Sequence, residues 1–229
     1  MNRAEETFQR RLREGAEQLG IEMPKEGVAR LLIHFRLLSK WADRVNLTTV
    51  RDPEGMAELL YLDSAVLQKH IGAGSRLHDV GTGAGFPGMV VRALRPDLRV
   101  TLTEARRKKV SFLKQAAREM GLTEGLEIRH QRLGWDAGAD RELWPEVVSR
   151  AAFPPSEWIR LGAPLVAPGG RLWVCSGPPH PEVDDAGEEG VLKDLDDCLP
   201  EGFSQGPIHD YRLPACGRRR LLVTLVRSG

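Results

Sequence analysis

Cysteine is scarce in this chain. Its 229 residues hold three, Cys175, Cys198 and Cys216. They are scattered and odd in number, which excludes a disulfide framework and a cysteine metal site and points to a reducing compartment. No basic segment followed by an apolar stretch marks a secretory leader. No apolar run is long enough to span a bilayer. An excess of one charge is also missing. The 33 Lys and Arg against 32 Asp and Glu leave a net charge of +1, so any attraction to a polyanion must come from local clusters. No Ser-His-Asp or paired-carboxylate constellation is present, and no metal site is expected. The expectation is a cytoplasmic monomer with no membrane association. Its 41% apolar content is enough to build a core for one α/β domain with an extension.

What is present is concentrated in Leu77-His78-Asp79-Val80-Gly81-Thr82-Gly83-Ala84-Gly85-Phe86-Pro87-Gly88. An apolar run ends in an acid, three glycines follow at alternate positions, and a helix start comes next. Such a loop turns a first strand into a helix and leaves bare backbone facing a ligand. The dinucleotide fingerprint G-x-G-x-x-G fails because Phe86 stands at its third place, which disfavours a nicotinamide oxidoreductase. The phosphate-cradling G-K-[ST] is absent. The remaining G-x-G-x-G resembles the first motif of Rossmann-like methyltransferases, which bind S-adenosyl-L-methionine. Glu104 ends a second alternating run, Val100 to Glu104, about 20 residues on, where a carboxylate accepts from a ribose diol. The plainer alternative for Glu104 is a solvated strand end. Asp79 serves either as an acceptor for the loop amides or as a ligand contact, and the two are compatible.

Residues 4–20 and 25–44 read as amphipathic helices, and Leu31, Leu32, Phe35, Leu38 and Trp41 form one apolar face that would pack against a sheet. A third helix starts after Asp52-Pro53. From residue 75 strands alternate with helices. Strands are expected near 75–80, 98–104, 125–130, 145–150 and 170–175, and helices near 87–95, 106–120 and 156–166. The chain is thus α/β, a doubly wound, mostly parallel sheet. Residues 1–70 would be a helical extension packed on a core of residues 71–229. Residues 178–194, rich in Pro, Gly and acids, read as a mobile loop or short exposed helix. A final pair of strands closes the chain, the last one buried.

A narrower resemblance covers roughly residues 30–227. Trp41 with Asn46-Leu47-Thr48-Thr49-Val50-Arg51-Asp52, then Leu62-Asp63-Ser64, the Asp79–Gly88 loop, Lys109 with Phe112-Leu113, Ser149-Arg150-Ala151 and Gly217-Arg218-Arg219 together resemble the bacterial 16S ribosomal RNA guanine-N7 methyltransferases, the glucose-inhibited division protein B family. The resemblance implies a class I methyltransferase domain over residues 71–229, acting on 16S rRNA or a small-subunit ribosomal particle. It implies a cofactor site with Gly81 and Phe86 around the methionine end, Glu104 at the ribose, Leu133 and Gly134 at the adenine, Arg150 nearby, and Asp79 and Gly83 of the loop also counted among the cofactor-binding residues. Phe86 also suits plain core packing, and Arg150 a surface ion pair. The chain departs from the family at Leu59 and Leu60, where a basic residue and His are usual, at Ser176 in place of Lys, and at Gly134 in place of an acid. These departures leave room for a divergent paralogue with another acceptor, or for a non-catalytic module that binds RNA or the ribosome.

Methylation at guanine N7 needs no general base, because N7 carries a lone pair and no proton; placement is the requirement. Arg132, Arg150 and Arg219 are candidates for holding the base through O6. His78 borders the glycine loop and is more simply a packed neighbour than a catalyst. Arg106, Arg107, Lys108 and Lys109, with Lys114 and Arg118, form the expected RNA-binding footprint, unless they are merely a solvated helix face. Arg218 and Arg219, with Arg220, would add a second contact.

Overall fold

The computed structural model describes residues 2–42, 45–133, 142–176 and 198–229. The acidic, proline-rich stretch 178–194 lies outside the described residues. Among the described residues, no helix is long and apolar enough to cross a membrane.

Seven strands form one sheet in the order β3-β2-β1-β4-β5-β7-β6. They are β1 Arg76–Val80, β2 Arg99–Glu104, β3 Leu126–His130, β4 Trp144–Ser149, β5 Val166–Ser176, β6 Phe203–Arg212 and β7 Arg219–Arg227. The first five pair in parallel; β7 runs antiparallel between β5 and β6. The five expected strands and the terminal pair are all present, and β5 begins four residues earlier than its alternation showed. The strand order reverses between β1 and β4, and the carboxyl ends at such a switch point are where open α/β sheets bind ligands.

The strand period of two divides the core into two faces. Val148 of β4, Trp173 of β5 and Leu222 of β7 point to one cluster. Val147, Leu172, Val174, Leu221 and Val223 point to the other. The first face is covered by α5 Gly88–Leu94 and α6 Arg107–Glu119, the second by α7 Pro155–Gly162. The N-terminal helices α1 Arg3–Gln18 and α2 Lys25–Trp41 add an outer layer. The apolar face of α2 packs principally on α5 and α6, which cover the sheet, rather than on the sheet itself. Helices already occupy the sheet surface, so Leu31, Phe35 and Leu38 join the core one layer out.

Close approach between layers depends on small residues. A Cβ on Gly15 of α1 would fall 2.2 Å from Leu62, and one on Gly27 of α2 would fall 2.9 Å from Leu94 of α5. The third helical segment is irregular. It begins as α3 Pro53–Met56, capped by Asp52, widens to a π-helical stretch at Ala57–Leu62, and returns through α4 Asp63–Ala65 to a 3₁₀ turn at Val66–Lys69. Such widening is frequent at functional sites.

Gly88 opens α5 where the helix crosses β1 and β2. A Cβ there would sit 2.5 Å from Leu102 and 2.8 Å from Asp79. Gly88→Ala is expected to lower stability by about 2 kcal/mol in urea unfolding, as overpacking does. Gly72→Ala, with open space around it, should stay within about 0.5 kcal/mol of the parent.

Candidate functional site

The loop between β1 and α5 is fixed from below by Asp79. Its carboxylate is fully buried. Oδ2 accepts from the Thr82 hydroxyl at 2.6 Å and from the Gly88 amide at 2.7 Å. From the side, the Thr103 carbonyl accepts from the amides of Gly81 and Thr82. Gly81, Gly83 and Gly85 all have positive φ, at 71°, 62° and 96°, which glycine alone adopts without strain. From behind, His34 of α2 bonds the Ala84 carbonyl through Nε2 at 2.9 Å, while its Nδ1 pairs with the Tyr61 hydroxyl at 2.7 Å. Nε2–H donates in that arrangement, so Nδ1 accepts from tyrosine. Burial holds His34 neutral, with its pKa lowered to about 4.

Above the loop lies a cleft of about 970 Å³ at the strand-order reversal. Gly81, Gly83, Phe86, Glu104, Leu133 and Arg150 all line it. Glu104 is buried, with Oε2 accepting from the Gly83 amide at 3.0 Å and Oε1 from the Arg106 amide at 2.7 Å. It is not a solvated strand end. Each carboxylate oxygen keeps a second lone pair for a ligand hydroxyl. Phe86 is both core and cleft wall. It packs edge-on against His34 and Tyr61, with ring centroids 5.4 and 5.2 Å away. Gly134 lies outside the described residues.

Asp79, by contrast, does not line the cleft. Its place is beneath the loop, as the amide acceptor. Burial raises its pKa from 3.8 to about 7, against the lowering effect of the Thr82 and Gly88 hydrogen bonds. His78 is likewise a packed neighbour, buried and bonded to the Thr103 hydroxyl at 2.7 Å.

The basic residues sort by geometry. Arg106 and Lys109 reach the cleft, as does Arg132; Arg107, Lys108, Lys114 and Arg118 stand exposed on the outer face of α6. Arg150 makes an ion pair, but a largely shielded one rather than one on the open surface. Its Nη1 lies 3.1 Å from Asp63 Oδ2 and donates to the Leu59 carbonyl at 3.3 Å, and its guanidinium sits 5.4 Å from the Phe86 ring centre. In the tail the expected residue is displaced by one. Arg219 pairs with Asp210 at 2.8 Å on the sheet's other side and does not line the cleft. Arg220 is buried and does line it. Strand alternation sends Arg220, like Leu222, to the face that carries Asp63. Sequence reading named Arg220 only within the run of three arginines and missed Tyr211 and the place of Asp63 in the cleft wall; the period of β7 was the available signal for Arg220. Tyr211 donates to Asp63 Oδ1 at 2.7 Å, and Arg220 Nε stands 3.6 Å from the same oxygen.

A family model described as rRNA small subunit methyltransferase G (GidB) matches residues 28–186. The chain belongs to this family. Similar relatives carry the same description. A ribosomal RNA small subunit methyltransferase G of Nitrosospira multiformis is 37% identical over 95% of this chain and 97% of its own length. One from Methylobacillus flagellatus is 40% identical over 73% of this chain and 80% of its own. Among solved structures, the O-methyltransferase TomG of Streptomyces achromogenes covers 91% of this chain and 92% of its own, with a TM-score of 0.55 at 18% identity. A SAM-dependent methyltransferase from Aquifex aeolicus covers 80% and 97%, with a TM-score of 0.54 at 18% identity. The structural likeness is one of fold. The family's architecture is the Rossmann-like methyltransferase sheet that the glycine loop implied.

The Asp79 environment yields a pH prediction. The folded pKa is raised, so the unfolded chain ionises first as pH increases. Stability at this site is therefore present below about pH 4 and is lost as pH rises toward about 7. Asp79→Asn keeps an acceptor for Thr82 and Gly88 and removes the titration. The melting temperature of the variant, measured against the parent, should improve steadily from pH 4 to 7; a constant difference would contradict the assignment.

Proposed function

We propose that this chain transfers a methyl group from S-adenosyl-L-methionine to N7 of a guanine in 16S ribosomal RNA. The observation that carries the reading is the joining of bare Gly81 and Gly83 backbone to the buried Glu104 carboxylate at the sheet's switch point, in a member of the rRNA small subunit methyltransferase G family. The residues fit that cofactor. A Cβ on Gly81 would lie 2.6 Å from Ala152, so the backbone stays bare. The Ser149 hydroxyl lines the cleft, buried and without a hydrogen-bond partner among the described residues. Glu104 gives the loop an acidic field that suits a cation.

When bound, the cofactor supplies a methyl group already activated on a sulfonium. The protein then binds and orients. Glu104 accepts from the ribose diol, and Leu133 packs on the adenine. Phe86 walls the methionine end, and Arg150, fixed by Asp63, holds its guanidinium against Phe86. Proton abstraction is not required, and the histidines nearest the loop match that: His34 and His78 are both held neutral by burial and neither lines the cleft. The acceptor must be unstacked to enter, which favours a single-stranded RNA loop. Arg106, Lys109 and Arg132 at the cleft, with Arg107, Lys108 and Arg218 beyond it, bind the RNA backbone. The departures at Leu59 and Leu60 are compatible with this, because the Leu59 backbone carbonyl, not a side chain, receives Arg150. The reading takes the protein to act as a monomer, in the cytoplasm where rRNA is made. Residues 1–70 serve as an extension that braces the loop through His34.

The reading is tested by labelled methyl transfer to small-subunit RNA or particles lacking the modification, with the product mapped by 7-methylguanine-specific cleavage. One labelled guanine is expected; labelling at no guanine N7 would overturn it. The RNA surface has its own test. Arg107→Gln with Lys108→Gln should reduce the slope of log affinity against log salt by about 1 to 2. An unchanged slope would leave these two as a solvated helix face.

A further inference from the structure

The cleft extends past the glycine loop into a second region with a different chemistry. There Asp63 collects three partners from distant parts of the chain: Arg150 Nη1 at 3.1 Å, the Tyr211 hydroxyl at 2.7 Å and Arg220 Nε at 3.6 Å. All four residues line the cleft. The side chains of Asp63 and Arg220 are only 11% and 7% exposed. One carboxylate faces two guanidiniums, so the group keeps a net positive charge against the cleft. The Arg220 contact is an ion pair, longer than a hydrogen bond, and leaves both partners with capacity. Buried charges of this kind contribute little to stability, and apolar residues of like volume do as well or better. The loop that carries Arg150 is strained beside them, with Ala151 at φ 57°, a conformation that clusters at ligand sites.

We propose that Arg220 and Asp63 form the reading edge for the acceptor base and select guanine over adenine. The inference rests on the methyl-transfer reading above. A guanidinium next to a carboxylate presents a donor followed by an acceptor. Guanine carries the complement along one edge, the O6 acceptor followed by the N1–H donor. Adenine carries the reverse, an N6 amino donor followed by the bare N1 lone pair. Seated in the same place, adenine would set donor against donor and acceptor against acceptor among buried charges, and such mismatches discriminate strongly. O6 adjoins N7, so a base held this way has N7 on the flank of the bonded edge. Arg150 touches both regions: its guanidinium lies over Phe86 on the cofactor side and pairs with Asp63 on the acceptor side. Tyr211 and Arg150 then hold the carboxylate in place.

The test uses the full chain and small-subunit RNA in which the mapped target guanosine is replaced by inosine or by 2-aminopurine riboside. Inosine keeps O6 and N1–H; 2-aminopurine lacks both. Transfer efficiency is divided by the reactivity of the same nucleoside toward a small alkylating agent, which removes intrinsic nucleophilicity. Inosine should fall within a few-fold of guanosine, and 2-aminopurine should fall by roughly tenfold or more. D63N, which offers an amide donor, should narrow the guanosine to 2-aminopurine ratio, as should R220Q, and R220Q should bind S-adenosyl-L-methionine as the parent does. Equal use of 2-aminopurine by the parent would overturn the assignment. So would unchanged ratios in both variants, or a weakened cofactor with an unchanged ratio, which would place Asp63 at the cofactor instead. Transfer without base discrimination overturns this assignment alone. Absence of transfer to the guanosine RNA overturns the methyl-transfer reading and this assignment with it.

Discussion

Asp79, one residue before the end of β1, carries a carboxylate that water does not reach. Its Oδ2 ties the Thr82 hydroxyl, early in the loop, to the Gly88 amide at the head of α5. That closure sets where the chain turns, and with it where Gly81 and Gly83 present their backbone. The amide of Gly83 in turn meets Glu104, which ends the neighbouring strand. Two carboxylates on adjacent parallel strands thus share the task. One lies below the loop and holds its shape, and the other lies beside it and lines the cleft.

The N-terminal helices belong to this construction rather than decorating it. An aromatic group from Phe8, His34, Phe35 and Tyr61 continues into Phe86 and Phe112. His34 bonds the loop backbone, and the π-helical stretch lets the Leu59 carbonyl meet Arg150. Glu58 in the same stretch accepts from the amides of Ala215 and Cys216 in the turn between β6 and β7. The irregular helix therefore touches the loop region, the end of β4 and the terminal hairpin, three regions far apart in sequence.

Much of this was legible in the residues. The glycines at alternate positions implied the turn, and their positive φ angles bear that out. Glu104 was readable because a strand has a definite end and a second acid stood at the right distance. Asp79 was legible as an acid but not as buried, since the same spacing serves a ligand contact and an amide acceptor. The packing partner of α2 was not legible, because an apolar face does not say whether it meets a sheet or the helices above one. Arg219 and Arg220 differ only in strand phase, and three consecutive arginines hide that phase. The Asp63 cluster joins residues up to 157 positions apart in a relation no local pattern encodes.

The claim that the β1–α5 loop and Glu104 together form the cofactor site is tested most directly by calorimetric titration of S-adenosyl-L-methionine into the parent and Glu104→Gln proteins. The amide would set an N–H against one of the two backbone donors that Glu104 now accepts, and would weaken its hold on the ribose. The dissociation constant should rise by about tenfold or more, the loss expected for hydrogen bonds to a charged group. Equal affinity in a folded variant would contradict the account and remove Glu104 from the site.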